Sequence, residues 1–125
     1  MVTSLKAILK QFAPHFFQMT DKIVILSTCA SEEEGGKLAQ LLVERHLAAC
    51  VSLIPRMRSV YRWKGAIEST EECLLIVKTS RQLFDQLRRI LEEAHSYELP
   101  EALALQVVDG SPAYLNWLEG SLRTD

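Results

Sequence analysis

An α+β fold built on one antiparallel sheet is predicted from three observations. Stretches of strand and helix periodicity follow one another in the order β-α-β-β-α-β, with one further helix at the end. Two of the strands, between Ala48 and Thr79, are joined by Lys64-Gly65, a two-residue turn of the kind that closes hairpins. Cys73-Leu74-Leu75-Ile76-Val77 is an unbroken apolar run, the mark of a strand buried on both faces. The order is the split βαβ, or ferredoxin-like, pattern, in which right-handed crossovers place both helices on one face of a four-stranded sheet. One chain leaves the opposite face bare.

Each element has its own signal. Lys22 to Cys29, KIVILSTC, reads as the first strand. Ser31 with Glu34 forms a capping box, and Glu32 and Glu33 add favourable charge at the start of the helix that follows. That helix runs through Leu38, Leu41, Leu42 and Arg45, although Gly35-Gly36 cost it about 1 kcal/mol each relative to Ala. In the second strand Met57, Ser59, Tyr61 and Trp63 alternate with Arg56, Arg58, Val60 and Arg62, a period of two. A two-residue turn sets Trp63 opposite Ala66 and Arg58 opposite Glu71, with a bulge expected at Pro55. Ser80 is expected to cap the second helix, whose apolar stripe is Leu83, Leu87, Ile90, Leu91 and Ala94. Leu99-Pro100 ends that region, and Ala102 to Val108 is the fourth strand. Ser111-Pro112 opens the last helix, with Leu115, Leu118 and Leu122 on its buried side.

The hairpin is long for a domain of 125 residues. An arm of sixteen residues would reach roughly 50 Å, and a two-stranded arm in water is marginal. Tyr61 and Trp63, near its tip, are therefore expected to lie against another copy of the chain. Residues 1–20 stand apart as an extension ahead of the domain at 21–125. Leu5, Ile8, Leu9, Phe12 and Phe16 fall at helical spacing, but Pro14 interrupts them. A targeting leader and an extension ahead of a natural start at Met19 are both open readings.

Composition narrows the function. A formal charge of −2 argues against non-specific nucleic-acid binding. No apolar run approaches the ~20 residues of a membrane span. The odd number of cysteines, Cys29, Cys50 and Cys73, with no C-x-x-C pair, favours reduced thiols and a cytoplasmic location. An RNA-binding version of the fold would carry aromatics on its third strand, where this chain has CLLIVKT. A phosphate-binding enzyme would place a Gly- and Arg-bearing loop after the first strand, where three glutamates stand. No nucleophile with an adjacent base is apparent in the sequence, and no enzymatic activity is expected.

Cys, His and Glu remain as candidate ligands for a soft or borderline metal. His95 and Glu98, three apart near a helix end, can share one side; His95 can equally serve the helix dipole. Cys50 and Cys29 read as ligand or as small core residues. Tyr61, Trp63, Tyr97 and Trp117 line either a pocket or an interface. Lys78 can pair with Glu72, hold an anion or snorkel at the sheet edge.

The stretches AACVSLIP, SVYRWKGAIESTEECLLIVKT and HSYELPEALALQVVDGSPAYLNWL together resemble the CutA family of divalent-cation tolerance proteins, over about Asp21 to Arg123. The resemblance implies a ferredoxin-like homotrimer, similar to the PII signalling proteins, in which long hairpins wrap around neighbours. It implies a link to tolerance of copper and other divalent cations, with copper binding in some members and no established reaction. It places Cys50, Trp63, Lys78, His95, Tyr97 and Trp117 near a cleft between subunits. The usual H-P-Y is His95-Ser96-Tyr97 here, and the thiol and paired histidines of bacterial copper sites correspond to Ser27 and Ala94-His95. The expected metal site is therefore weak and centred on His95, with Cys29, Cys50 and Glu98 as helpers. The alternative is a PII-like signalling or scaffold trimer that takes a small ligand or a protein at its clefts, with no metal role.

Overall fold

The computed structural model describes residues 20–124 and, ahead of them, Leu5. The expectations for the stretch before Thr20, including Pro14 and a start at Met19, lie outside the described residues. Strand β1 (Lys22–Cys29) leads into helix α1 (Glu32–Glu44), and strands β2 (Cys50–Trp63) and β3 (Ala66–Ser80) form the hairpin. A 3-10 turn (Arg81–Leu83), helix α2 (Phe84–Ala94), strand β4 (Leu103–Gln106) and helix α3 (Pro112–Gly120) complete the domain. The sheet order is β2-β3-β1-β4, antiparallel throughout.

Local chemistry accounts for most of these boundaries. Ser31 stays extended and its hydroxyl accepts from the Glu34 amide at 3.1 Å, while Glu34 reaches back to the Ala30 amide at 3.2 Å. At the hairpin tip Lys64 has φ 49° and Gly65 φ 84°, the two positive angles of a type I′ turn. Trp63 faces Ala66 and Arg58 faces Glu71, as the two-residue turn requires. The register slips by one between Ile54 and Met57, where Pro55 and Arg56 bulge and Arg56 takes φ 57°.

Two expected boundaries move. Ser80 pairs with Lys22 at the end of the sheet and makes no side-chain cap; the 3-10 turn intervenes before α2. The fourth strand is Leu103–Gln106 rather than 102–108, because it ladders only with Ile23–Leu26 of β1.

The register sorts side chains onto two faces. On one, Ile23, Ile25 and Cys29 of β1 and Cys73, Leu75 and Val77 of β3 pack against Leu38 and Leu42 of α1 and Leu87 and Leu91 of α2. Leu118 and Leu122, in and just after α3, join this core. Each leucine, isoleucine or valine among them, fully buried, contributes about 1.5–3 kcal/mol. The other face carries Val24, Leu26, Ile54, Leu74, Ile76, Leu103 and Leu105, and α3 reaches only its end, where Tyr114 and Glu119 meet Lys78 and Lys22. Ile54, Leu103 and Leu105 are 48%, 58% and 52% exposed.

The arm is less isolated than its length suggests. Pairing of β3 with β1 ends at Cys29–Cys73, so residues 57–72 form a two-stranded ribbon. The segment after α2 meets that ribbon. Tyr97 donates its hydroxyl hydrogen to Glu72, and Lys64 at the tip lies 3.8 Å from Glu98.

Candidate functional site

A cavity of about 800 Å³ opens on the bare face between the ribbon and the segment 96–101. Its position follows from strand parity. Met57, Ser59, Tyr61 and Trp63 of β2 point to this face, as do Glu72 and Leu74 of β3 and Leu26 and Thr28 of β1. Ser96, Tyr97, Glu98, Leu99 and Glu101 supply the opposite wall. The floor is apolar, three aromatics stand around it, and the charged residues in its lining are all glutamates.

That wall is fixed by polar bonds to the sheet. The His95 side chain is fully buried, with Nε2 2.7 Å from the Thr28 carbonyl oxygen. A carbonyl only accepts, so Nε2 carries the hydrogen. Nδ1 is then the acceptor for the Tyr97 amide at 3.0 Å. Glu34 accepts from the Ser96 amide at 2.8 Å and from the Ser96 hydroxyl at 2.9 Å, tying the segment to the start of α1. Burial alone would raise the Glu34 carboxyl, but the hydrogen bonds from Ser96 and from the Ala30 amide hold it below the ordinary carboxylate range. Burial, then the hydrogen bond to Glu72, pushes the Tyr97 hydroxyl well up, so it stays protonated and donates. Burial, with the Glu72 charge added, raises the Glu101 carboxyl.

The nine candidate residues do not gather at one point. Trp63, Tyr61, Tyr97 and Glu98 line the cavity. Cys50 and Lys78 pair at the far end of the hairpin, where Lys78 donates to the Tyr114 hydroxyl at 3.2 Å rather than pairing with Glu72. Tyr114 in turn packs on Trp117, ring centres 5.3 Å apart. Cys29 lies on the helix side of the sheet, its thiol donating to the Ser31 carbonyl and pushed up to about 11 by burial. As placed, these residues do not suit a copper ion. Both nitrogens of His95 are spent, the Cys29 thiol is engaged with the Ser31 carbonyl, and Cys50 and Glu98 sit at opposite ends of the hairpin. Among the described residues no three His, Cys, Asp or Glu side chains form a metal-holding group.

Glu72 and Glu101 are the charged cavity residues that the sequence did not mark as site residues, Glu72 entering only as a candidate partner of Lys78. Glu72 shares strand parity with Leu74, the one signal that it faces the same way; Glu101 follows Leu99-Pro100 and carries no periodicity of its own.

Comparison with known proteins agrees with this architecture. The profile of the CutA1 divalent ion tolerance protein family matches residues 23–121. The chain belongs to that family. The divalent-cation tolerance protein CutA of Thermus thermophilus is 42% identical over 95 residues, 76% of this chain and 92% of that one. The chloroplastic protein CutA of Arabidopsis thaliana is 43% identical over 101 residues, 81% of this chain and 56% of that one. The chain thus spans little more than half of the plant relative. The crystal structure of CutA from Xylella fastidiosa superposes with a TM-score of 0.81 at 38% identity, covering 83% of this chain and all of that one. The family and its Thermus thermophilus member are named for divalent-cation tolerance rather than for a reaction. Among the described residues no helix of this CutA-family chain is long and apolar enough to cross a membrane.

Proposed function

We propose that the chain acts as a homotrimeric divalent-cation tolerance protein of the CutA type, in the cytoplasm, with no catalytic step. The observation that carries this is the bare apolar face. Leu103, Leu105 and Ile54 stand in water in a single chain beside Val24, Leu26, Leu74 and Ile76, and a patch of this kind favours a protein partner. The partner proposed is the chain itself, because cyclic closure also protects the edges of β2 and β4. The number three comes from the family resemblance. A subunit boundary is also the arrangement in which the aromatic group at the hairpin tip and the Lys78–Tyr114–Trp117 group could share one cleft.

Copper or another divalent cation is bound weakly in this reading. His95 would have to give up a hydrogen bond to the Thr28 carbonyl or the Tyr97 amide before it could coordinate. That same geometry supports the second reading, a PII-like trimer whose clefts receive a small ligand or a protein without a metal role. Sedimentation equilibrium tests the assembly. The wild type is expected to run as a trimer, and Leu105→Asp, which buries a charge only on assembly, as a folded monomer. A wild type that is a stable monomer overturns the proposal. Copper titration by calorimetry separates the two readings: saturable binding supports the metal role, and its absence leaves the ligand cleft.

A further inference from the structure

We propose that the cavity between the hairpin ribbon and the segment 96–101 binds an aliphatic polyamine, a flexible chain carrying ammonium groups at both ends. The inference rests on the small-ligand part of the second reading above, with the ligand placed in a cavity that one chain lines by itself.

Three features of the cavity select that chemistry. Its charged lining is acidic: Glu72 and Glu101 on the inner side and Glu98 toward the hairpin tip. Tyr61, Trp63 and Tyr97 present aromatic rings, which attract ammonium groups through their faces. Between the acidic groups lie Leu26, Leu74 and Met57, a floor suited to methylene groups and unsuited to a bare, hydrated metal ion. The acidic groups form two poles. Glu101, whose carbonyl accepts from Ser27, and Glu72 lie where the ribbon leaves the sheet, whereas Glu98 pairs with Lys64 at the tip.

The chain itself supplies a stand-in for one end of the ligand. The Lys64 ammonium lies 5.6 Å from the centre of the Trp63 ring and 3.8 Å from the Glu98 carboxylate. An alkyl ammonium therefore already occupies the outer pole. A polyamine would place one ammonium there in competition with Lys64, lay its methylenes over Leu74 and Met57, and bring a second ammonium to Glu72 and Glu101.

Spermidine titrated into the full chain by calorimetry tests this. One saturable site per chain is expected, with no binding of 1,8-octanediol, a neutral chain of similar length. Glu101→Gln should weaken binding at least tenfold. Lys64→Asn removes the internal competitor with a residue that accepts a positive φ, and should tighten binding several-fold. Equal binding of the diol, or magnesium displacing spermidine at matched ionic strength, would reduce the site to a greasy or an acidic surface and overturn the proposal. An unchanged affinity in Lys64→Asn would overturn it as well. Sedimentation of the same samples keeps the two proposals apart. A trimer that binds no spermidine, its neighbour filling the cavity, overturns the polyamine site alone. A monomer that binds it overturns the trimer alone.

Discussion

Gly35 shows how much a single missing methyl can decide. A Cβ there would meet Leu53 Cδ2 at 2.8 Å, Cys73 Sγ at 3.1 Å and Cys29 Sγ at 3.3 Å. The glycine lets α1 press onto the sheet where two buried cysteines face each other across β1 and β3. Gly36, one position on, meets nothing within 4 Å. From the sequence the pair looks like a flaw in a helix; only packing separates a needed glycine from a tolerated one. Gly35→Ala is therefore expected to cost about 1–3 kcal/mol through overpacking, and Gly36→Ala to gain up to about 1 kcal/mol through helix propensity. Urea denaturation of both variants checks the opposite signs. Glu34 carries a second expectation at this scale. Its folded carboxyl titrates below the ordinary 4.5, so its stabilisation is full above that pH and is lost as the pH falls through the lower folded value. Glu34→Gln should destabilise by roughly 1–2 kcal/mol at neutral pH, and the gap should close in acid below 4.5. A gap that stays constant would mean that the carboxylate charge contributes nothing. The capping role of Glu34 was legible from Ser31-x-x-Glu34. Its hold on Ser96 was not, because 62 residues separate the two.

The hairpin is the element most fully written in the sequence. Its turn, its cross-strand partners and its bulge at Pro55 all follow from alternation and two residue types, since the ladder is local. What alternation could not show is the support the arm receives from the segment 96–101, which has no period of its own. The apolar run in β3 was legible as two-sided, but its second side, Leu74 and Ile76, is only half buried within one chain. The turn yields a direct test. Gly65 has φ 84°, so Gly65→Ala is expected to cost about 1–2 kcal/mol. Because Trp63 lies beside the turn and half buried, its fluorescence should shift to the red if the tip opens. An unchanged spectrum and denaturation midpoint would show that the tip tolerates the strain.

At the scale of the whole molecule the order of elements specified the fold, because few topologies accept that order with right-handed crossovers. The candidate site was legible only in part. Aromatics near the turn announced themselves, whereas a buried glutamate looks like any surface glutamate until the register places it. A chain beginning at Met19 is expected to keep the melting temperature and sedimentation of the full chain. The core among the described residues starts at Ile23, and Thr20 already anchors the entry through its hydroxyl on the Val107 carbonyl. A lowered melting temperature would give residues 1–18 a structural role. The sheet order also bears on how the chain folds in time. β1 is made first yet sits between β3 and β4, with Lys22 opposite Ser80 and Leu26 opposite Leu103. The hairpin can zip from its own turn within microseconds, but β1 has to wait for partners encoded far downstream. During synthesis its apolar side chains stay unpaired until most of the domain has left the ribosome. The late, long-range closure around β1, rather than the long arm, is then the step expected to limit folding, so a core truncation in β1 should slow refolding less than it speeds unfolding.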